Sequence, residues 1–538
     1  MERRGNRRQF LKAAGLATAG AGLLGAPAVA GGPVTLGAPA VAGGPVAPSA
    51  PAAAGAGSAI PDKIPDQSSA QVVVVGAGFA GMVAAYRLSQ RGYSVIVVDA
   101  LDRVGGRSWS TNLSDGTFVD IGAGWTGSTQ FAILQLNQEL GLSIYTQYGL
   151  GTGQPGNNLF VGLDGKIGSF KGVAFPVSKP EQVAYAIGAI DTFAQTVPLD
   201  APWTAPNAVE WDNTTAGAAL TALFPNDLFP GPWAPDALAA AMVNLVSIFG
   251  LSPFAVSFLH LLWVAHSFGG VEKAGAVEAG SVQFRIVGGT QQIPLGIAAR
   301  LGKNTLLFNS PVYELNQDDA GVTVVSERAT LRARRVIVAV PTCLSGFIRY
   351  SPILPADRGQ LIQRVPQGSA MKLQLIYDRA FWRDLGYNGN SFAINGSIVP
   401  QTLDAGGPAG VDVPGILACF VDDDAARDLG RLSPTERQQR IIEELVPRFT
   451  SQVRNLSTKL KPNYVEFISQ DLEWARGDFA ATPGPRVLTA SGFGPAMRDP
   501  FMRIHWAGVD TATTWYQSID GAAQSGERAA LKVINAGL

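Results

Sequence analysis

Two cysteines and three histidines in 538 residues leave little material for a disulfide framework or a zinc centre. Cys343 and Cys419 each sit inside an apolar run, VIVAVPTC and GILACF, and read as small buried hydrophobes. His260, His266 and His505 are widely separated and have no Cys or His neighbour at ligand spacing. Charge is scarce too: charged residues make up 15% and the formal net charge is -1, so there is no electrostatic footprint for nucleic acid or an anionic membrane.

What is abundant is apolar surface, with hydrophobic residues at 46%. A chain of this length can fill more than one core, and two folded domains, interleaved in sequence, are the natural expectation. Residues 1–30 read as an export leader of the twin-arginine type: Asn6-Arg7-Arg8-Gln9-Phe10-Leu11-Lys12, a Gly/Ala/Leu stretch, then Ala28-Val29-Ala30 as a small-residue cleavage site. Residues 31–66 are an Ala/Gly/Pro tether, and GAPAVAGGPV at 25–34 recurs at 37–46. The C-terminal GERAALKVINAGL carries no apolar tail, so the expectation is a periplasmic or secreted protein without a stable membrane anchor.

The first structured segment predicts a strand over Gln71–Val75, a turn Gly76-Ala77-Gly78-Phe79-Ala80-Gly81, a helix over MVAAYRLSQR, and a second strand ending on Asp99. The order matters more than the glycines alone. Strand, glycine turn and helix start present unpaired N–H groups to a pyrophosphate, and the acid about 20 residues on accepts from ribose hydroxyls. This is a dinucleotide site, and by itself it does not separate NAD from FAD. Directly after Asp99 and Ala100 stands Asp102-Arg103-Val104-Gly105-Gly106-Arg107, where an arginine beside a flexible glycine pair can meet a second phosphate charge, which favours FAD.

From Gln71 to its end the chain resembles the flavin-containing monoamine oxidase family. The likeness rests on the glycine turn, DRVGGR, Asp120-Ile121-Gly122-Ala123-Gly124-Trp125, Ile286-Val287-Gly288-Gly289, Ser310-Pro311-Val312, Val336–Pro341, and the late block from His505 through Gly508, Asp510 and Asp520-Gly521-Ala522 to Arg528. The resemblance implies an α/β and α+β fold. A Rossmann-like FAD-binding domain is assembled from 67–144, 284–360 and 474–538, and a substrate domain of sheet plus helices from 145–283 and 361–473. It implies an FAD-dependent amine oxidase, with hydride transfer to the flavin, oxygen as acceptor giving hydrogen peroxide, and imine hydrolysis to a carbonyl. An amino-acid or polyamine oxidase, a dehydrogenase using a redox protein, and a noncatalytic flavin-binding protein are the alternatives. The implied partners are a small-molecule amine and oxygen or a redox protein, with room for a homodimer.

Carried over position by position, the resemblance implies a cofactor set of Gly76, Gly78, Ala80, Gly81, Asp99, Ala100, Gly105, Gly106, Arg107, Gly122, Ala123, Gly124, Trp125, Val312, Trp474, Gly508, Asp510, Ser518 and Ile519. It implies a substrate wall of Trp125, Gly275, Val282, Gln401, Trp515, Tyr516 and Ser518. Lys372 is the implied catalytic residue, holding a water against the flavin. Its own surroundings agree, because MKLQLIY is an apolar strand-like run in which an unpaired ammonium is costly. Two departures stand out. After Trp474 the chain reads Ala-Arg-Gly-Asp-Phe-Ala-Ala-Thr-Pro483 with no cysteine, so FAD is expected to be noncovalent, and the two family tyrosines that cage the amine are matched by Gly484 and Ser518.

Overall fold

The computed structural model describes residues 68–149, 156–172, 174–224, 228–229, 231–274, 280–408, 414–450, 463–468 and 472–538. The leader and tether expected over 1–66, and Gly275, lie outside them.

Two sheets organise the molecule. The first has eight strands, and its parallel centre is built from distant parts of the chain: Ser69–Val75 lies between Val95–Val98 and Thr330–Val338, and Ile504–Trp506 adds beyond. Three of these strands end in unbroken Val and Ile runs, Val72–Val75, Val95–Val98 and Val336–Val338, because both faces are covered there. One face takes the helix Phe79–Ser89 and the final helix Ile519–Asn535, with Val72, Val74, Met82, Leu88, Ala530 and Val533 in the shared core. The antiparallel strands Val312–Gln317 and Val322–Ser326 continue the sheet on one side of the same long strand.

The second sheet has seven strands, drawn from Asn157–Val161 and Ile167–Phe170 together with five strands between Ala370 and Ile468. Its long central pair, Ala370–Tyr377 and Gly415–Asp422, is antiparallel with Lys372 opposite Phe420. Helices Pro180–Ala194, Pro235–Phe249 and Phe258–Phe268 pack together around Trp211, Leu261 and Trp263 to form a large apolar core beside this sheet.

Among the described residues, no helix is long and apolar enough to cross a membrane, and no group of His, Cys, Asp and Glu is arranged to hold a metal ion.

Candidate active site

A single cavity of about 1770 Å³ runs from the carboxyl ends of the parallel strands to the second sheet and the apolar helices. That exceeds the roughly 300–1,000 Å³ of an ordinary small-molecule pocket, so it has room for a cofactor and a substrate together.

Its first end is built by the glycine turn. Gly76 has φ 107°, and a Cβ there would stand 2.8 Å from the Ala339 carbonyl oxygen. A Cβ at Gly81 would come within 1.8 Å of the Gly76 carbonyl, so Gly81 works behind the turn rather than on the cavity wall. Gly78 is the N-cap of the helix Phe79–Ser89 and supplies no side-chain cap, which leaves the first helical N–H groups facing the cavity. The Asp99 carboxylate braces this turn, accepting from Ala77 N at 2.5 Å and Leu101 N at 2.7 Å. Burial raises its proton affinity, and those two bonds oppose the rise.

The DRVGGR segment closes the same end. Gly106 lies against Gly78, so close that a Cβ on it would stand 3.3 Å from the Gly78 Cα. The Arg107 guanidinium donates to the Phe479 carbonyl. Arg103, which the position-by-position carry-over passed over, stacks on Trp109 at 4.6 Å, and its buried Nη1 has no hydrogen-bond partner among the described residues. Exposed helix N–H groups, close-packed glycines and an orphaned guanidinium nitrogen suit the pyrophosphate of a dinucleotide.

At the middle of the cavity, the Lys372 Nζ donates to the carbonyls of Asp120 at 2.9 Å and Gly122 at 2.7 Å, and lies 4.4 Å from the centre of the Trp125 ring. Burial pushes its ammonium down to about 7; Asp120 opposes that and Arg285 adds to it. The carbonyls it uses are fixed from behind. Asp120 is fully buried, paired with Arg285 at 2.7 Å, and accepts also from Ser110 Oγ and Thr290 N.

The late block supplies the remaining wall. Asp510 accepts from Thr342 N at 2.7 Å and Ala481 N at 2.8 Å, so its carboxylate ties a loop to the end of the short strand Asp478–Ala481 at the cavity edge. Ser518 caps the final helix by accepting from Gly521 N at 3.2 Å. Trp515 stacks on Phe268, and Tyr516 is fully buried with its hydroxyl given to the Ala481 carbonyl at 2.5 Å, which leaves that hydroxyl engaged away from any ligand. Ala80, Ala100, Gly105, Ala123, Gly124, Val282, Val312, Gln401, Trp474, Gly508 and Ile519 also line the cavity.

The position expected for a flavin-linking cysteine needs correction. Pro483 is not on the cavity wall; its carbonyl accepts from Ser257 N, and Gly484 approaches Ala255. The wall after Trp474 is made instead by Ala475 and by Asp478 and Phe479, the last two at the start of the short strand Asp478–Ala481.

A family model described as flavin containing amine oxidoreductase matches residues 79–534. The chain is 32% identical over 473 residues to amine oxidase [flavin-containing] A of Canis lupus familiaris, covering 86% of this chain and 85% of that one. It is 33% identical to the L-amino acid dehydrogenase of Synechocystis, covering 87% and 95% of the two chains. Among solved structures, a putrescine oxidase bound to putrescine superposes with a TM-score of 0.79 at 28% identity, covering 87% of this chain and 100% of that one. Cyclohexylamine oxidase from Brevibacterium oxydans does so with a TM-score of 0.78 at 27% identity, covering 88% and 99%.

Proposed function

The chain belongs to the flavin containing amine oxidoreductase family, and on that premise we propose how its own residues serve the oxidative deamination of an amine. When bound, the flavin supplies a two-electron acceptor for the hydride that leaves the carbon beside the substrate nitrogen. The flavin is FAD, held without a covalent link; supporting this, neither Cys343 nor Cys419 lines the cavity.

The observation that carries the site assignment is the seating of Lys372. An ammonium has three donors, and two of them are spent on the Asp120 and Gly122 carbonyls. The third holds a water in the cavity. Beyond Lys372 the wall is apolar, with Phe175, Ile187, Ile248, Phe268 and Phe392, and such surroundings favour the neutral amine, whose lone pair assists hydride loss. Residues 67–144, 284–360 and 474–538 form the cofactor domain and 145–283 with 361–473 the substrate domain, in keeping with the membership of the two sheets. Oxygen is the acceptor and peroxide the product, and the chain is exported through its twin-arginine leader.

The test is an anaerobic screen of primary, secondary and cyclic amines against the FAD-loaded protein, followed by admission of air. Bleaching by an amine and stoichiometric peroxide on reoxidation are the expected results. A flavin that no amine bleaches would sink the oxidase reading. Bleaching without peroxide would favour a dehydrogenase, a second reading that the likeness to the L-amino acid dehydrogenase keeps in play.

A further inference from the structure

Trp125 meets two cations, and its orientation decides what they gain from it. The Lys372 Nζ lies over its ring, 4.4 Å from the centroid, and the Arg285 guanidinium carbon lies over it at 5.3 Å. An aromatic face attracts a cation through its quadrupole and the ring edge does not, so the effect on Lys372 depends on how the indole is turned. The Trp125 backbone lies in the loop that follows the strand Phe118–Asp120, where no strand register fixes the side chain.

The indole is held at its edge by Gln147. Its Nε1–H donates to the Gln147 Oε1 at 2.9 Å, and the Gln147 Nε2 donates in turn to the carbonyls of Asp404 at 2.5 Å and Tyr148 at 3.1 Å. These three partners admit one orientation of the amide, because only its oxygen can accept from the indole and only its nitrogen can serve two carbonyls. Gln147 is buried and stands behind the cavity wall rather than on it. Its anchor is itself fixed, since the buried Asp404 carboxylate accepts from Trp382 Nε1 at 2.8 Å and from Arg383 at 2.8 and 2.9 Å. One strand pair carries both supports of the ring: Ile144–Thr146 leads into Gln147, and its partner Phe284–Ile286 holds Arg285 opposite Tyr145.

We propose that Gln147 is a positioning residue for the oxidation: by holding the indole nitrogen it keeps the face of Trp125 on the Lys372 ammonium, and it acts on the reaction through that pair. This rests on the role proposed for Lys372. Burial pushes the ammonium down to about 7; Asp120 and Asp478 oppose that, Arg285 adds to it, and Asp422 stands diagonally on the neighbouring strand. A cation–π contact out of water weighs on the side of the charged form, so a ring turned away would leave Lys372 easier to deprotonate.

The experiment reads Lys372 itself. FAD-loaded protein made with lysine isotopically labelled at Cε is titrated by proton–carbon NMR, and the signal absent from Lys372→Met is the one to follow. In the parent protein it is expected upfield of the other lysines, through the ring current of the face it meets, with a midpoint of about 7. Gln147→Met keeps the length and deletes the acceptor, so the upfield displacement should vanish and the midpoint should fall by about half a pH unit to one and a half units. Gln147→Glu, whose protonated side chain accepts from the indole and donates to a carbonyl as the amide does, should retain both. Should Gln147→Met fail to load FAD, Gln147→Asn decides in its place, because the shorter amide cannot reach the indole and the carbonyls together. A Lys372 signal that keeps its displacement and its midpoint in Gln147→Met, or in Gln147→Asn where that variant stands in, overturns the assignment. A signal that moves as expected in a protein whose flavin no amine bleaches would leave the tether standing and remove the oxidase reading.

Discussion

Lys372 and Arg285 are both held by Asp120, one through its backbone and the other through its side chain. The Asp120 carbonyl accepts from the Lys372 ammonium at 2.9 Å while its carboxylate takes the Arg285 guanidinium at 2.7 Å. Gln374 donates to the same carbonyl, so the segment that positions the lysine is pinned on three sides. Arg285 in turn lies 5.3 Å from the Trp125 ring that Lys372 also faces.

Replacing Asp120 with asparagine keeps the shape and the carbonyl but leaves Arg285, 1% exposed, as an unpaired buried cation. Loss of about 3–5 kcal/mol is expected, measured as the shift in denaturation free energy of the FAD-loaded protein. Adding Arg285→Met should recover part of that loss, because the orphaned charge goes with it. Equal stability of Asp120→Asn and the parent protein would mean that the pair contributes nothing.

The glycine turn separates a folding role from a binding role. Gly81→Ala places a methyl 1.8 Å from the Gly76 carbonyl, whereas a Cβ at Gly78 meets nothing within 4 Å. Gly81→Ala should therefore lower the thermal midpoint of the flavin-free protein, and Gly78→Ala should leave it near the parent value while weakening FAD retention. Flavin absorbance per polypeptide, read beside the flavin-free melting curve, distinguishes the two. A Gly78→Ala protein that loads FAD normally would contradict the placement of the cofactor over this helix start.

Much of this end of the site is legible in the sequence because its signals are local. The Val run, the glycine spacing, the helix and Asp99 lie within one short stretch, and each has a physical reason to follow the last. The run MKLQLIY likewise marks Lys372 as a costly charge in a buried strand. Arg285 is not legible: it stands 165 residues from Asp120, and nothing local distinguishes it from a surface arginine. The region after Trp474 defeats the sequence because counting along a loop without a landmark does not locate the strand that returns to the cavity, and Asp478 and Phe479 fill the place expected for Pro483 and Gly484.

His260 gives the fold an acid-sensitive term. It is fully buried among Phe249, Trp263 and Tyr516, with ring centroids 5.7, 5.7 and 5.4 Å away, and neither ring nitrogen has a partner among the described residues. Burial pushes its proton affinity down from 6.5 to about 3. The unfolded chain therefore binds a proton that the folded one refuses, and stability present above pH 6.5 is lost as pH falls toward 3. Asp422 and Asp520, raised by burial to about 7 and about 6, work in the opposite sense, so the informative quantity is the difference between variant and parent. His260→Phe keeps a ring in the aromatic cluster and should flatten the fall by up to about 1.4 kcal/mol per pH unit. Parallel stability curves for the two proteins across that window would refute the assignment.

Lys372→Met tests the centre of the site. Methionine keeps the apolar stem and length while deleting the charge, so the fold and the yellow colour of bound FAD should survive. On the proposed role of Lys372, the loss should fall on the water that the third ammonium donor would hold, and with it on the return of electrons to oxygen. Stopped-flow absorbance would follow bleaching by an active amine without air, then recovery on mixing with oxygen, and recovery should slow by roughly tenfold or more. The pH dependence supplies a second readout. Because burial lowers the lysine to about 7, the parent protein should lose its recovery advantage as pH rises through that value, and the variant should show no such step. Recovery at the parent rate, with the same pH profile, would make Lys372 an ordinary buried strand lysine braced by two carbonyls and would remove it from the oxidative half of the cycle.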